Sequence, residues 1–155
     1  MRAILAGLLV VFLSANGALG QDVQKRSVPI KSDFSFFEDN WGLKAKAFSL
    51  ELLQVKSKTG DAIVLGRITY LLEFDKDVIN QDLETIQSIF VDKGRRVRHI
   101  FFDQDHIAIN PFVVLPYRIQ GEISGVRGEA FRIIVDMEFD AEAIILPAKK
   151  LVVRP

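Results

Sequence analysis

The chain has 155 residues, of which 20 are basic and 20 acidic, and it contains two histidines and no cysteine. This length fits one ordinary domain with its own core, and the balanced charge offers no basic field for nucleic acid or anionic lipid. The absence of cysteine excludes disulfides, thiol nucleophiles, thiolate metal sites and lipid attachment through cysteine.

The first twenty residues have the pattern of a secretory signal peptide. Arg2 supplies a positive start, residues 3–13 form an apolar run, and Ala18 and Gly20 place small side chains before a cleavage site. The apolar run is shorter than the roughly 20 residues that span a bilayer, and no later stretch reaches that length. We therefore expect an exported protein, periplasmic or secreted, whose mature chain starts at Gln21 and has no transmembrane segment.

Residues 21–42 are expected to form an N-terminal arm ahead of a single β-rich domain at 43–155. Charged residues, one proline and four aromatic residues are mixed there without a sustained period. The aromatic residues are Phe34, Phe36, Phe37 and Trp41. Isolated aromatic side chains are usually buried, so we expect them to pack on the domain; the alternative is that they are available to a partner.

A long β-hairpin is predicted next, with strands at 43–57 and 62–74 on either side of the turn signal Lys58-Thr59-Gly60-Asp61. Apolar residues in the second strand share one parity: Val64, Ile68, Tyr70, Leu72 and Phe74. Polar residues occupy much of the opposite parity. One face of this strand is therefore expected in the core and the other mostly in water.

The stretch 78–94 supports two structures. Apolar side chains recur at helical spacings of four, three and four residues, at Ile79, Leu83, Ile86 and Phe90. A strand competes, because 86–91 is rich in β-forming residues and Asp92-Lys93-Gly94 resembles a three-residue hairpin loop. We favour a short helical turn near 79–85 followed by a hairpin over 86–102, with one short helix over 79–90 as the alternative.

The C-terminal third predicts a second hairpin and a last strand. Apolar and polar residues alternate over 117–124 and again over 131–139, on either side of a glycine-containing turn at 125–128. The final run, 144–155, can supply one more strand, whose start Pro147 confines to an edge or a bulge.

Seven or eight short strands without βαβ alternation predict an all-β fold, a single antiparallel β-sandwich, with an α+β fold or a small β-barrel as alternatives. The segments GRITYLLEF, IFVDKGRRVRHIFF, YRIQGEIS and FRIIVDMEF together resemble the immunoglobulin-like β-sandwich modules of bacterial extracytoplasmic proteins. The paired cysteines and core tryptophan of antibody-type domains are absent, since Trp41 precedes every predicted strand. The resemblance implies an adhesive or adaptor unit, although a fold does not fix a function.

Three predicted strands end in an aromatic residue followed by two acids one residue apart. These ends are Phe74-Asp75-Lys76-Asp77, Phe102-Asp103-Gln104-Asp105 and Phe139-Asp140-Ala141-Glu142. Aspartate is favoured at such places because its side chain accepts a hydrogen bond from the backbone two residues further on. We therefore expect these acids to form solvated turns.

A calcium site is the alternative interpretation of the acids. If 86–102 is a hairpin, the strands ending at Phe74 and Phe102 run in the same direction. Four carboxylates would then share one end of the sandwich: Asp75, Asp77, Asp103 and Asp105. Several carboxylates from separate loops can bind Ca²⁺, but the DxDxDG loop that makes a calcium prediction specific is absent.

Two further features each have a structural and a functional interpretation. His106 beside Asp105 suggests a base with its orienting acid, but the chain has no GxSxG or HExxH motif, so an exposed turn histidine is expected. A basic cluster lies upstream: Lys93, Arg95, Arg96 and Arg98. Such charge protects an edge strand from aggregation, and contact with an acidic partner is the alternative.

The leading functional hypothesis is a non-catalytic, exported binding, adaptor or envelope-associated module that contacts a protein partner through loops or an exposed strand edge. A second hypothesis is a carrier, in which the strands close into a barrel and some of the twelve phenylalanines line a cavity for a lipid or other apolar ligand. A third is a hydrolase that uses carboxylates and His106.

Overall fold

A computed structural model describes residues 10–14, 22–91 and 96–155, with side chains at 23–91 and 96–155. In these ranges the chain is mainly β, as predicted. Its strands are β1 (Val10–Ser14), β2 (Asp22–Ser27), β3 (Lys31–Asp33), β4 (Leu43–Lys56), β5 (Ala62–Phe74), β6 (Arg98–Phe102), β7 (Tyr117–Gln120), β8 (Ala130–Met137) and β9 (Lys150–Arg154). Its helices are α1 (Ser35–Trp41), α2 (Asn80–Val91) and α3 (Ala141–Ile145).

The larger sheet has six antiparallel strands in the order β1-β2-β4-β5-β8-β7. Both predicted hairpins are present in it: β4 pairs with β5 from Leu43↔Phe74 to Lys56↔Ala62, and β7 pairs with β8. Strand β7 is shorter than predicted and forms one edge of the sheet. The alternation in β5 is confirmed, since Ile68 and Tyr70 are buried whereas Arg67 and Thr69 are partly exposed.

The smaller sheet has three strands in the order β3-β9-β6. Strands β6 and β9 are antiparallel, but β3 and β9 are parallel, so the prediction of a wholly antiparallel fold is wrong here. Residues of both sheets belong to one hydrophobic core, which is compatible with a sandwich. In the described residues the sheets do not close into a barrel, because β1 and β7 remain at opposite edges of the larger sheet.

Residues 80–91 form the helix α2, and the predicted strand over 86–91 is wrong. The helix buries Ile86, Ile89 and Phe90 on one side. The Phe90 ring lies 5.4 Å from that of Phe37 and 5.2 Å from that of Phe131. Burial of a helical apolar face against these rings outweighs the β propensity of the residues. The predicted hairpin loop at 92–94 lies outside the described residues, and β6 pairs with β9 instead.

The segment 22–42 contributes β2, β3 and α1 to the body of the protein. Strand β2 pairs with β4, and β3 pairs with β9. The aromatic residues of this segment pack on the domain as predicted: Phe34 and Phe37 are buried, and Trp41 is partly buried against the core. Phe36 contacts the Phe37 and Trp41 rings and keeps one side in solvent.

The predicted signal peptide lies mostly outside the described residues, at 1–9 and 15–20, and stays a prediction. Residues 10–14 are described as β1, which pairs with β2. No helix in the described ranges is both long and apolar enough to cross a membrane.

The predicted C-terminal strand starts later than expected, at Lys150, because Ala141–Ile145 form the helix α3. This helix packs closely on β5 at Gly66. A Cβ atom added to Gly66 would lie 2.6 Å from Cδ1 of Ile145, so glycine allows this approach.

Candidate binding groove

One wall of the candidate site is the outer face of α2. Four of its residues recur at intervals of three, four and seven positions and so share one helical face: Glu84, Gln87, Ser88 and Val91. The opposite face carries the buried apolar residues described above. The same helical period therefore supplies both the anchor of α2 in the core and a mixed polar and apolar wall outside it.

The other wall is formed by β7 and the residues that follow it. It contains Arg118 and Ile119 from the strand, then residues 121–123. The groove between the two walls has a volume of about 720 Å³ and is open to solvent. Strand β7 pairs only with β8 in the described part of the sheet. Alternate residues of such an edge strand direct their N–H and C=O groups away from the sheet.

Two hydrogen bonds join the walls at the two ends of the groove. At one end, Nε2 of Gln87 donates to the carbonyl oxygen of Ile123 over 2.9 Å. At the other end, the Tyr117 hydroxyl donates to the carbonyl oxygen of Phe90, also over 2.9 Å. Because each bond ties α2 to the β7 segment, the groove is formed before any ligand is present.

The chain entering α2 is placed by Gly125. The Val78 N–H donates to the Gly125 carbonyl oxygen over 2.7 Å, and the backbone of Gly125 has φ of 73°. A Cβ atom at this position would lie 2.2 Å from the Val78 carbonyl oxygen. Both the positive φ and the close backbone approach require glycine, which is one of the turn glycines expected from the sequence.

The charges of the groove are unevenly distributed. Arg118 donates to Asp136 over 2.8 Å, and the same carboxylate accepts a 2.7 Å bond from Arg67 across the sheet. Glu84 and Glu122 are exposed and have no cationic partner among the described residues. Among the described residues, Glu84 and Glu122 are therefore uncompensated carboxylates, whereas the two cations Arg67 and Arg118 share the single carboxylate of Asp136.

A buried histidine lies behind the groove. The rings of His99 and Tyr117 are 5.9 Å apart, and the Tyr70 hydroxyl lies 2.8 Å from Nε2 of His99. Burial lowers the pKa of His99 from its ordinary 6.5 to about 3, and burial raises the pKa of Tyr70 well above 10. Nδ1 of His99 has no hydrogen-bond partner in the described residues. The imidazole is therefore a neutral member of the core.

The turn interpretation of Asp103 is confirmed by its contacts. Its Oδ1 atom accepts the N–H of Asp105 over 2.9 Å and that of Ile107 over 3.0 Å. The first bond reaches two residues along the chain, as predicted for an aspartate turn. His106 in the same turn is exposed with φ of 61°, which agrees with the expected turn histidine.

The acids at the end of β5 have separate partners. Asp77 accepts the Arg127 N–H over 2.9 Å, and Asp75 lies 3.3 Å from Nζ of Lys44. In the described residues no three acidic or histidine side chains are grouped so that they could hold a metal ion. The four aspartates of the calcium hypothesis are therefore not brought together as one cluster.

The basic cluster is described only in part, because Lys93 and Arg95 lie outside the described residues. Arg98 is exposed on β6, an edge strand of the smaller sheet, and donates to the carbonyl oxygen of Pro155 over 3.2 Å. Its position agrees with charge placed on an edge strand.

Comparison of the chain with models of known protein families, with curated proteins and with solved structures gives no significant match.

Sequence reasoning missed both the groove and the buried histidine. The signals were present in the sequence: 84, 87, 88 and 91 share a helical face, and His99 has the parity of the buried residues Val97 and Phe101. The preference for a strand over 86–91 hid the first signal.

Proposed function

We propose that this protein is a non-catalytic binding module that holds an extended segment of a partner protein in the α2–β7 groove. The observation that carries the proposal is that β7 pairs only with β8 in the described part of the sheet and lies beside a preformed groove with a mixed polar and apolar lining. A bound segment would add a strand to the sheet through main-chain hydrogen bonds, while alternate side chains enter the groove and determine specificity.

The dimensions of the groove suit a short segment. From Glu84 to Val91 the helix rises about 10 Å, which an extended chain covers in about three to four residues. The two hydrogen bonds that join the walls reduce the ordering required when a ligand binds. The contact area is small, and we expect a weak, reversible complex of the kind formed by transient adaptors.

The carrier and the hydrolase have less support. Aromatic rings fill the described core, with Phe90 between Phe37 and Phe131, and the described sheets do not form a barrel around a cavity. Neither described histidine is hydrogen-bonded to a carboxylate. Export rests on the leader-like pattern of residues 1–20, and the immunoglobulin-like relationship rests on strand patterning; both remain predictions.

The proposal is tested by selecting peptides from a displayed library of random heptapeptides against the purified protein. Binding sites are then located by NMR chemical-shift changes of backbone amides. We expect changes at 84–91 and 117–123, and we expect N-methylation of alternate peptide residues to abolish binding by removing strand hydrogen bonds. A footprint elsewhere, such as the exposed segment Phe112–Val114, would contradict the proposal.

A matched pair of variants separates the groove from general exposed apolar surface. Val91 and Ile63 are both aliphatic and similarly exposed, at 55% and 44%, but only Val91 lines the groove. Val91→Glu should weaken binding of the selected peptides at least tenfold, whereas Ile63→Glu should leave it unchanged. Equal effects of the two substitutions would show that the peptides bind by nonspecific hydrophobic contact.

A further inference from the structure

Two of the residues that line the α2–β7 groove, Glu84 and Glu122, are carboxylates without a cationic partner in the described part of the chain. Glu84 lies three residues before Gln87, one helical turn away, and Glu122 directly precedes Ile123. The hydrogen bond between Gln87 and Ile123 therefore brings the two carboxylates to the same end of the groove. Two carboxylates without a cationic partner at one end of a groove favour a ligand cation there.

The protein does not supply that cation from the described residues. Arg118, which also lines the groove, is bonded to Asp136. Asp136 also accepts a bond from Arg67, so the two arginines share one carboxylate and both guanidinium groups are engaged there. A ligand cation would thus meet Glu84 and Glu122 without displacing an existing ion pair.

The opposite end of the groove carries two aliphatic side chains as well as Arg118, whose guanidinium is bonded to Asp136. Val91 is exposed there, and Ile119 of β7 is partly exposed. The two ends are about 10 Å apart along α2, and side chains on one face of an extended peptide are about 7 Å apart. The length of a lysine or arginine side chain covers the remaining distance.

We infer that the segment recognised by this groove carries a lysine or arginine two residues from an aliphatic side chain, with the cation at Glu84 and Glu122 and the aliphatic group at Val91. This inference rests on the proposed function and specifies its ligand. Because strand pairing reads only the main chain, the carboxylates select which extended segments bind.

The experiment uses the heptapeptides selected from the displayed library and the variant Glu84→Gln with Glu122→Gln. Selected peptides should be enriched in lysine or arginine at one position, with an aliphatic residue two positions away. The double substitution should weaken their binding about five- to tenfold, and 0.5 M salt should reduce the difference by screening. The control Glu138→Gln removes an exposed carboxylate outside the groove and should have no effect.

The possible outcomes separate the inference from the proposed function. Peptides that bind in the groove without a basic residue, or with affinity unchanged by the double substitution, overturn the inference and leave the proposed function standing. A library that yields no peptide bound in the groove overturns both. Sedimentation of the protein alone tests another occupant: a dimer that is lost in Val91→Glu would show that the groove takes a second copy and would overturn the inference.

Discussion

The buried His99 predicts a loss of stability in mild acid. The unfolded chain protonates this imidazole near pH 6.5, whereas burial lowers its pKa in the folded protein to about 3. Below pH 6.5 the unfolded state therefore binds a proton that the folded state does not, which favours unfolding. The contribution of His99 to stability is complete above pH 6.5, is lost progressively as the pH falls, and stops changing below about 3.

The magnitude follows from the difference of the two pKa values. Each unit corresponds to about 1.4 kcal/mol, so the full loss amounts to about 5 kcal/mol, with about 2 kcal/mol already lost at pH 5. The side chain is 1% exposed, so solvent screening does not reduce this value appreciably. A domain of this size is stabilised by about 5–15 kcal/mol in total, so the effect should be easily measured.

The assay is urea unfolding between pH 7.5 and 5, with the wild-type protein compared with His99→Gln and His106→Asn. His99→Gln keeps a hydrogen-bonding group near Tyr70 but does not titrate, so it should be less stable at pH 7.5 and nearly independent of pH. His106→Asn changes an exposed turn residue at φ of 61°, a conformation that asparagine tolerates, and should keep the wild-type slope.

The pH window separates His99 from the carboxylates. Asp33, whose pKa is lowered by its hydrogen bonds from Ser35, affects stability only below its ordinary pKa near 4. NMR titration of the imidazole provides a direct check and should show a neutral His99 at pH 5. Identical pH slopes in the wild type and His99→Gln, or an imidazole that titrates near 6.5, would refute the reasoning.

Three further predictions concern turns and metal binding. Gly125→Ala should destabilise the protein by more than about 2 kcal/mol in urea unfolding. Gly60 also has a positive φ but has open space around it, so Gly60→Ala should lower the free energy of unfolding less. Equal losses in the two variants would exclude the clash with Val78. Asp103→Ala should lower the free energy of unfolding by about 1 kcal/mol, because it removes the acceptor of two backbone N–H groups. Asp105→Ala should be nearly neutral, and the reverse order would contradict the role of Asp103 as the turn acceptor. Millimolar Ca²⁺ or EDTA should leave the melting temperature unchanged, and a rise with Ca²⁺ would restore the calcium site.

The two hairpins were predictable because their signals are local. Strand alternation and the adjacent turn residues lie within a few positions of each other, and the pairing β4–β5 follows from them. The order of strands in the sheets was not predictable in this way. The parallel pairing of β3 with β9 joins residues from opposite ends of the chain, and only the shared core determines that they meet.

The acidic turns were also predictable, but their distribution in space was not. The hydrogen bond from the Asp105 N–H to Asp103 depends on backbone geometry over three residues. The calcium hypothesis required four aspartates from two separate strand ends to converge. That convergence depended on a hairpin over 86–102, and once 86–91 is helical the reason for expecting a shared end disappears.

The choice between helix and strand at 86–91 also determines whether a binding groove exists. As a strand, these residues would alternate between two faces, and positions 84, 87, 88 and 91 would not share a side. As a helix, they bury Ile86, Ile89 and Phe90 and leave the opposite face to line the groove together with β7. The aromatic contacts of Phe90 therefore stabilise the fold and, by fixing the rotation of α2, also determine which side chains line the groove.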